Sequence, residues 1–182
     1  MRKKGDLETM TTNYNMIAGI DIGNGYCKVK LSMDGGAPEV LDLPSQVSYI
    51  SNSSWLPVEP DDTYMEDIVN ELDADVNSNG VKPLDRGRVI FGRRSVASGN
   101  TPVIFDINDH VPKCDDSLAA QLTCGIVAGA ALRKYWRENH TLPEDKITVD
   151  CNLGVALPIN DFMAYHTTYE NMFLHGIHEV HI

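Results

Sequence analysis

Apolar and polar positions in the first third of the chain predict three strands. Residues 16–22 form an almost continuous apolar run, MIAGIDI, which is typical of a central strand buried on both faces. Residues 26–33 read YCKVKLSM, and this alternation predicts a strand with one face toward water. A third strand is predicted over residues 40–43, before Pro44. The glycines and asparagine of GNG, residues 23–25, predict a tight turn with positive φ between the first two strands.

The rest of the chain alternates strand and helix patterns, which is typical of the α/β class with a mixed sheet. The most helical stretch begins near Leu118, where an acidic cap from Asp115 and Asp116 precedes an apolar stripe. The other predicted elements are, in chain order, a short strand over residues 88–91 ended by Gly92, a buried strand over residues 146–157 ended by Pro158, a helix capped by Asn160 or Asp161 that runs to about Leu174, and a last strand over residues 177–182.

Two segments depart from this alternation. Residues 1–15 are mostly polar, and we expect them to form a disordered tail. Residues 51–88 are expected to form a surface insertion, because eight acidic residues lie between positions 59 and 75. Apolar residues at helical spacing predict one short helix within the insertion, over residues 63–72. We expect the insertion to be solvated and structural.

Composition narrows the classes of function. The chain has 182 residues, of which 42% are hydrophobic and 23% charged, as in an ordinary globular protein. Its formal charge of −11 repels polyanions, so direct binding of nucleic acid is not expected. The four cysteines have no metal-binding spacing and are expected to be buried thiols of a reducing compartment. No apolar run is long enough for a membrane span or a signal core, so we expect a cytoplasmic protein without membrane contact.

The stretch DIGNGYCK, residues 21–28, carries the candidate chemistry. Gly23 and Gly25 have no Cβ, which lets backbone N–H groups converge on phosphate oxygens. Lys28 can supply a point charge to the phosphates, and Asp21 can hold a hydrated Mg²⁺ through water. The stretch is not GxxxxGK[ST], and the residues after Gly25 do not open a helix as GxGxxG does. A plain hairpin is the alternative, because Asn-Gly alone is a common turn signal.

DIGNGYCK resembles the first phosphate motif of the actin-like ATPases when it is taken with VIFG at residues 89–92, the small-residue helix after Leu118 and LGVALP at residues 153–158. The likeness is greatest to the prokaryotic ParM-like plasmid-segregation proteins and their archaeal and phage relatives. It covers residues 16–182 and implies a ribonuclease H-like domain with an inserted small subdomain and with ATP and Mg²⁺ as ligands. It also implies phosphate contacts from Gly23, Asn24, Gly25, Lys28 and the N–H group of Tyr26, and a water-mediated Mg²⁺ contact from Asp21.

The same resemblance implies a second ATPase domain. The phosphate loop of that domain is not found in residues 1–182, and we expect its catalytic residue beyond residue 182. The sequence therefore predicts the N-terminal domain of an ATP-binding, filament-forming protein of plasmid or phage DNA segregation or cytoskeletal positioning. This domain alone is not expected to be catalytic. Its expected partners are further copies of itself and a DNA-bound adaptor protein. The alternatives are a sugar or metabolite kinase of the same superfamily, and a non-catalytic module that binds a partner through the acidic insertion.

Two weaker patterns suggest metal sites. Residues 75–86 begin like a calcium loop, but Arg86 replaces the glutamate of position twelve, so an acidic turn is expected instead. His175, His178 and His181 recur at every third residue. In a strand, however, His178 and His181 would point to opposite faces, so we do not expect the three to share a metal ion.

Overall fold

The computed structural model describes residues 11–50, 59–80, 88–105, 111–113 and 116–182. In chain order its elements are β1 (Thr12–Ile22), β2 (Tyr26–Met33), β3 (Glu39–Pro44), β4 (Gln46–Tyr49), α1 (Asp62–Glu66), α2 (Ile68–Glu71), β5 (Asp73–Ser78), β6 (Val89–Phe91), α3 (Gly92–Ala97), β7 (Pro102–Ile104), α4 (Ser117–Asn139), β8 (Ile147–Ala156), α5 (Ile159–Leu174) and β9 (His178–His181). The mixed α/β class predicted from the sequence is confirmed. The elements β4, β5, α3 and β7 were not predicted, because they are too short to show a period.

A four-stranded mixed sheet contains the predicted hairpin, in the order β3-β2-β1-β8. Strand β1 is antiparallel to β2 and parallel to β8, and β2 is antiparallel to β3. One face of the sheet is buried, and β1 contributes alternate residues to it: Tyr14, Met16, Ala18, Ile20 and Ile22. We call the other face, with the exposed residues of β1, β2, β3 and β8, the open face. Its side chains are available to a ligand or a partner.

The predicted burial of β1 on both faces is wrong. Ile17 lies in the apolar run but is 66% exposed, since the described core covers only one side of the sheet. Strand β8 alternates in the same way between half-buried and exposed residues, so its predicted burial is also only partial. The start of β1 differs too: residues 12–15 belong to the strand and not to the predicted tail. They pair with residues 147–150 of β8, a long-range contact that local polarity does not reveal.

A second sheet, in the order β7-β4-β6-β5-β9, includes part of the predicted insertion. Residues 51–58 and 81–87 of that insertion lie outside the described residues, while 59–80 form α1, α2 and β5. Two short helices with a break at Asp67 replace the single predicted helix. The residues of the helical stripe are all buried in the core: Met65, Ile68, Val69 and Leu72. The apolar stripe of the insertion thus belongs to the core, where it packs on α4, while acidic residues such as Asp61, Asp62 and Glu66 are exposed.

Helix α4 joins the two sheets through one continuous core. The Asp116 carboxylate accepts a hydrogen bond from the Leu118 N–H at 2.9 Å, which confirms half of the predicted acidic cap, while Asp115 lies outside the described residues. Gly125 lies against the ring of Phe91, so α4 approaches β6 closely. Helix α5 starts two or three residues earlier than predicted: its N-cap is Pro158, and the predicted caps Asn160 and Asp161 lie in its first turn. The last predicted strand is confirmed as β9, which pairs with β5.

We predict that Gly92→Ala lowers the free energy of unfolding by about 2–4 kcal/mol. Gly92 has a φ of +56°, and an added Cβ would lie 2.9 Å from the Cα of Asn70, so strain and overlap add. Gly99→Ala is the matched control, because Gly99 has a similar φ of +71° but open space around the missing Cβ. The control should cost only about 1–2 kcal/mol in urea denaturation. Equal losses for the two variants would contradict the close approach of Gly92 to Asn70.

Candidate functional site

The candidate site is the turn that joins β1 to β2, residues 23–25. The N–H of Gly23 donates to the carbonyl of Tyr26 at 3.0 Å, which closes the hairpin. On the other side, the N–H of Ser45 donates to the carbonyl of Gly25, also at 3.0 Å. The turn is therefore held by backbone hydrogen bonds to β2 and to the residue that follows β3.

The predicted positive φ in this turn is wrong. Among the described residues, positive φ occurs at five positions, and Gly23, Asn24 and Gly25 are not among them. Gly23 is required for another reason, because an added Cβ would lie 2.8 Å from the carbonyl oxygen of Tyr26. Gly25, by contrast, has open space around the missing Cβ. Neither the dihedral angles nor the packing of the described chain requires a glycine at position 25.

Two consecutive N–H groups at the turn lack an internal acceptor. Within the described part of the chain, the N–H groups of Asn24 and Gly25 donate to no oxygen atom, and both residues are exposed. Tyr26, the first residue of β2, is also exposed, at 58%. Exposed N–H groups beside a missing side chain can donate to an anion that approaches closely.

The charged residues lie in one row across the open face. Asp21 is opposite Lys28 in the β1–β2 register, and Lys28 is opposite Asp42 in the β2–β3 register. On the other side of Asp21, Ala156 of β8 adds no bulk. All four residues are exposed, and among the described residues no ion pair engages the Lys28 ammonium or the Asp21 carboxylate. The hairpin thus brings the predicted phosphate and Mg²⁺ residues together, with Asp42 as an unpredicted neighbour.

The core side of the turn is closed by Cys27. Its side chain is fully buried, and its Sγ lies 3.2 Å from the Oγ of Ser45. Burial raises the pKa of the Cys27 thiol to about 11. The thiol is therefore protonated at neutral pH, so Cys27 packs against the turn and is not an activated nucleophile.

Sequence reasoning missed Lys113, which reaches the same turn from the core side. Its ammonium donates to the carbonyl of Ile22, the last residue of β1, and lies 5.0 Å from the centre of the Phe105 ring. Burial lowers the pKa of Lys113, while the carboxylates of Asp21 and Asp161 act against that shift. No motif marks Lys113, because its contact crosses 91 positions of the chain.

The weaker metal patterns are explained by strand pairing. Asp75 and Asn77 belong to β5, and residues 81–86 of the calcium-like stretch lie outside the described residues. The Nε2–H of His178 donates to the Phe173 carbonyl at 3.2 Å, and its Nδ1 is hydrogen-bonded to the Ser78 hydroxyl at 2.7 Å, so His178 joins β9 to β5 and α5. Among the described residues, no three His, Cys, Asp or Glu side chains converge as a metal site.

A separate open cavity of about 1350 Å³ lies between α4, β8 and α5. Mainly apolar side chains line it, including Val127, Val149, Leu153 and Phe162. No residue of the β1–β2 turn lines this cavity, so it is distinct from the candidate site.

No helix among the described residues is long and apolar enough to cross a membrane.

Comparison with known proteins identifies the fold. No protein-family model and no curated protein matches the chain. The solved structure of Bacillus thuringiensis ParM with ATP matches with a TM-score of 0.61 and 17% identity, over 91% of this chain and 38% of that one. The structure of the same ParM with AMPPNP matches with a TM-score of 0.55 and 14% identity, over 86% and 37% of the two chains. The structure with ADP gives a TM-score of 0.51 and 14% identity, over 81% and 36%.

The chain thus spans well under half the length of the ParM structures that it matches. At these identities the likeness concerns the fold. The likeness to ParM predicted from the sequence is confirmed at that level: the chain has the mixed α/β fold of one part of Bacillus thuringiensis ParM.

Proposed function

We propose that this chain is the phosphate-binding domain of an ATP-binding, filament-forming actin-like protein, and that MgATP binds at the β1–β2 turn. The observation that carries the proposal is the pair of exposed N–H groups at Asn24 and Gly25, which have no acceptor among the described residues and lie at the same end of the hairpin as Lys28. The match of the fold to ParM with ATP supports the choice of nucleotide.

Gly25 supports a ligand that approaches the backbone closely. A glycine reduces stability where neither φ nor packing needs it, since it enlarges the conformational freedom of the unfolded chain. Gly25 has an ordinary φ and open space where a Cβ would lie. A phosphate oxygen could occupy that space and accept hydrogen bonds from the turn. The residues present therefore fit a phosphate group.

The charge row supports a divalent cation together with the phosphates. Lys28 lies between the carboxylates of Asp21 and Asp42, so the row has a net charge of −1. A triphosphate alone would be repelled by the two carboxylates and by the formal charge of −11 on the whole chain. When bound, Mg²⁺ neutralises charge on the phosphate oxygens. Asp21 would hold water molecules of the ion, and Lys28 would contact the phosphates directly.

Hydrolysis and assembly are proposed for the whole protein. The chain spans 36–38% of the matched ParM chains, so the second phosphate loop and the catalytic residue would lie in sequence outside these 182 residues. Further copies of the protein would be its filament partners, with a DNA-bound adaptor as a second partner. The cellular role would be plasmid or phage DNA segregation, or cytoskeletal positioning, in the cytoplasm.

We predict that Lys28→Ala weakens MgATP binding about 10- to 100-fold in the full-length protein. The loss corresponds to one charge-assisted hydrogen bond to phosphate, and isothermal titration calorimetry measures it. Lys30→Ala is the matched control, because Lys30 lies on the same strand and the same open face but pairs with Gly19 and Val40, away from the turn. The control should bind within about twofold of the wild type. Equal effects of the two variants would contradict the assignment of Lys28.

We predict that Gly25→Ala weakens MgATP binding at least about tenfold without lowering the melting temperature. The new methyl group would occupy the space through which the phosphate approaches, while the folded chain accommodates it. Asn24→Ala is the control, since it keeps the backbone N–H and removes only an exposed side chain. Binding of Gly25→Ala at wild-type affinity would show that no ligand uses this space.

We predict that the full-length protein sediments in an ultracentrifuge pelleting assay with ATP and Mg²⁺, and that Lys28→Ala sediments less at the same ATP concentration. A filament former needs bound nucleotide to assemble, whereas a metabolite kinase stays in the supernatant. The control is the wild type with EDTA, which should stay in the supernatant. MgATP binding without sedimentation would favour the kinase, and absence of both would favour a partner-binding module.

A further inference from the structure

Lys113 is a buried cation at the base of the candidate site. It is only 9% exposed, whereas lysine is almost always at the surface of a protein. Its ammonium group donates to the carbonyl of Ile22 and lies over the ring of Phe105, which is itself buried. The positive charge is therefore placed directly behind the last peptide unit of β1.

The Lys113 ammonium lies near carboxylates without forming an ion pair in the described part of the chain. Among the residues that the structure describes, no carboxylate pairs with its ammonium, although Asp21, Asp116 and Asp161 lie near enough to influence it. The buried Arg133, at the far end of α4, pairs with Glu39. A methionine at position 113 would fill a similar volume without the cost of burying a charge. The retained charge indicates a role for the group that it contacts.

That group belongs to the turn. The carbonyl of Ile22 and the N–H of Gly23 are the two ends of one planar peptide unit, so holding the carbonyl fixes the direction of the N–H. The Gly23 N–H in turn donates to Tyr26 and closes the hairpin. The free N–H groups of Asn24 and Gly25 are the next two along the chain. A hydrogen bond from a charged donor also polarises the peptide unit that accepts it.

We infer that Lys113 is a positioning residue of the β1–β2 turn: its ammonium holds the Ile22 carbonyl and thereby sets the orientation of the Asn24 and Gly25 N–H groups for an anionic ligand. The positioning role rests on the contacts of Lys113, while the identity of the ligand as the phosphates of MgATP rests on the proposed function. Lys28 meets the ligand from the open face, and Lys113 acts from the core side without touching it.

Lys113 also connects the turn to the starts of two helices. Its N–H donates to the Asp161 carboxylate in the first turn of α5 at 3.3 Å, and its carbonyl accepts from the N–H of Asp116, the N-cap of α4, at 3.3 Å. The turn is thus anchored to segments distant in sequence rather than to the hairpin alone. Such an anchor limits the motion of the donors before a ligand arrives, which lowers the entropic cost of binding.

The first test measures the turn itself, by ¹H–¹⁵N NMR of the 182-residue chain. Lys113→Met should shift or broaden the amide resonances of Gly23, Asn24 and Gly25. Arg133→Met is the matched control, because it removes another buried cation, in the C-terminal half of α4 and away from the turn, and should leave these three resonances in place. Resonances of Lys113→Met that coincide with those of the wild type would overturn the inference.

The second test measures binding in the full-length protein. Lys113→Met should weaken MgATP binding about tenfold. Lys113→Arg should recover at least half of that loss, measured as the logarithm of the dissociation constant. One outcome would overturn the inference and leave the proposed function standing. In that outcome the wild type binds MgATP, Lys28→Ala binds MgATP more weakly, and Lys113→Met binds MgATP as tightly as the wild type. If the wild type does not bind MgATP, the proposed function fails, and the NMR result still decides whether Lys113 positions the turn.

A measurement on the wild type covers the case in which Lys113→Met does not fold. A hydrogen bond from an ammonium group moves the ¹³C resonance of a carbonyl downfield. The Ile22 carbonyl resonance should therefore lie downfield of that expected for a strand carbonyl without a charged donor. A resonance at the ordinary strand value would contradict the contact on which the inference depends.

Discussion

Strand β1 is hydrogen-bonded on both sides, antiparallel to β2 over residues 16–22 and parallel to β8 over residues 12–21. This double pairing fixes the register of β1, and the register decides which side chains are buried. A slip of one residue would move Asp21 into the core and Ile20 onto the open face. Burial of an unpaired carboxylate costs several kcal/mol, so the apolar face of β1 also keeps the charged face in place. The candidate site depends on this pairing.

The two sides of the β1–β2 turn differ in their surroundings. On the open face, Lys28 lies in water between two carboxylates, where solvent screens its charge. On the core side, Lys113 is buried, and its hydrogen bond to the Ile22 carbonyl is shielded from solvent. The exposed lysine suits contact with a ligand that comes and goes, and the buried one suits a fixed geometry. Both support a site whose donors are oriented before the ligand binds.

The likeness to ParM concerns the fold, whereas the candidate site is defined by residues 21–28 and their neighbours. The fold places the hairpin turn at the end of the central strand of the first sheet. The proposed chemistry depends on details of this chain: a glycine that its own packing does not require, two N–H groups with no acceptor among the described residues, and a lysine between two aspartates. A fold can carry many functions, so these local features carry more weight than the architecture.

Helices and strands in which apolar residues recur regularly over many positions were predicted well. Helix α4, β2 and β8 match their predicted ranges closely, because alternation or a helical stripe over eight or more residues leaves few other structures. In the acidic insertion the helical stripe was predicted, but the charges alone did not show that the apolar residues of this stripe pack in the main core. The turn was located correctly, but its φ angles were not, since Asn-Gly favours a left-handed turn that the pairing of Gly23 with Tyr26 does not adopt here.

The sequence by itself determined the strands of the hairpin and the identity of the residues at its turn, because these depend on neighbours within a few positions. It also placed Asp21 and Lys28 near each other, since a short hairpin turn leaves little choice of register. Only the tertiary structure decided which face of β1 is open, that Asp42 joins the row, and that Lys113 lies behind Ile22. These contacts join residues far apart in the chain, and they are selected by how the whole core packs rather than by any local pattern.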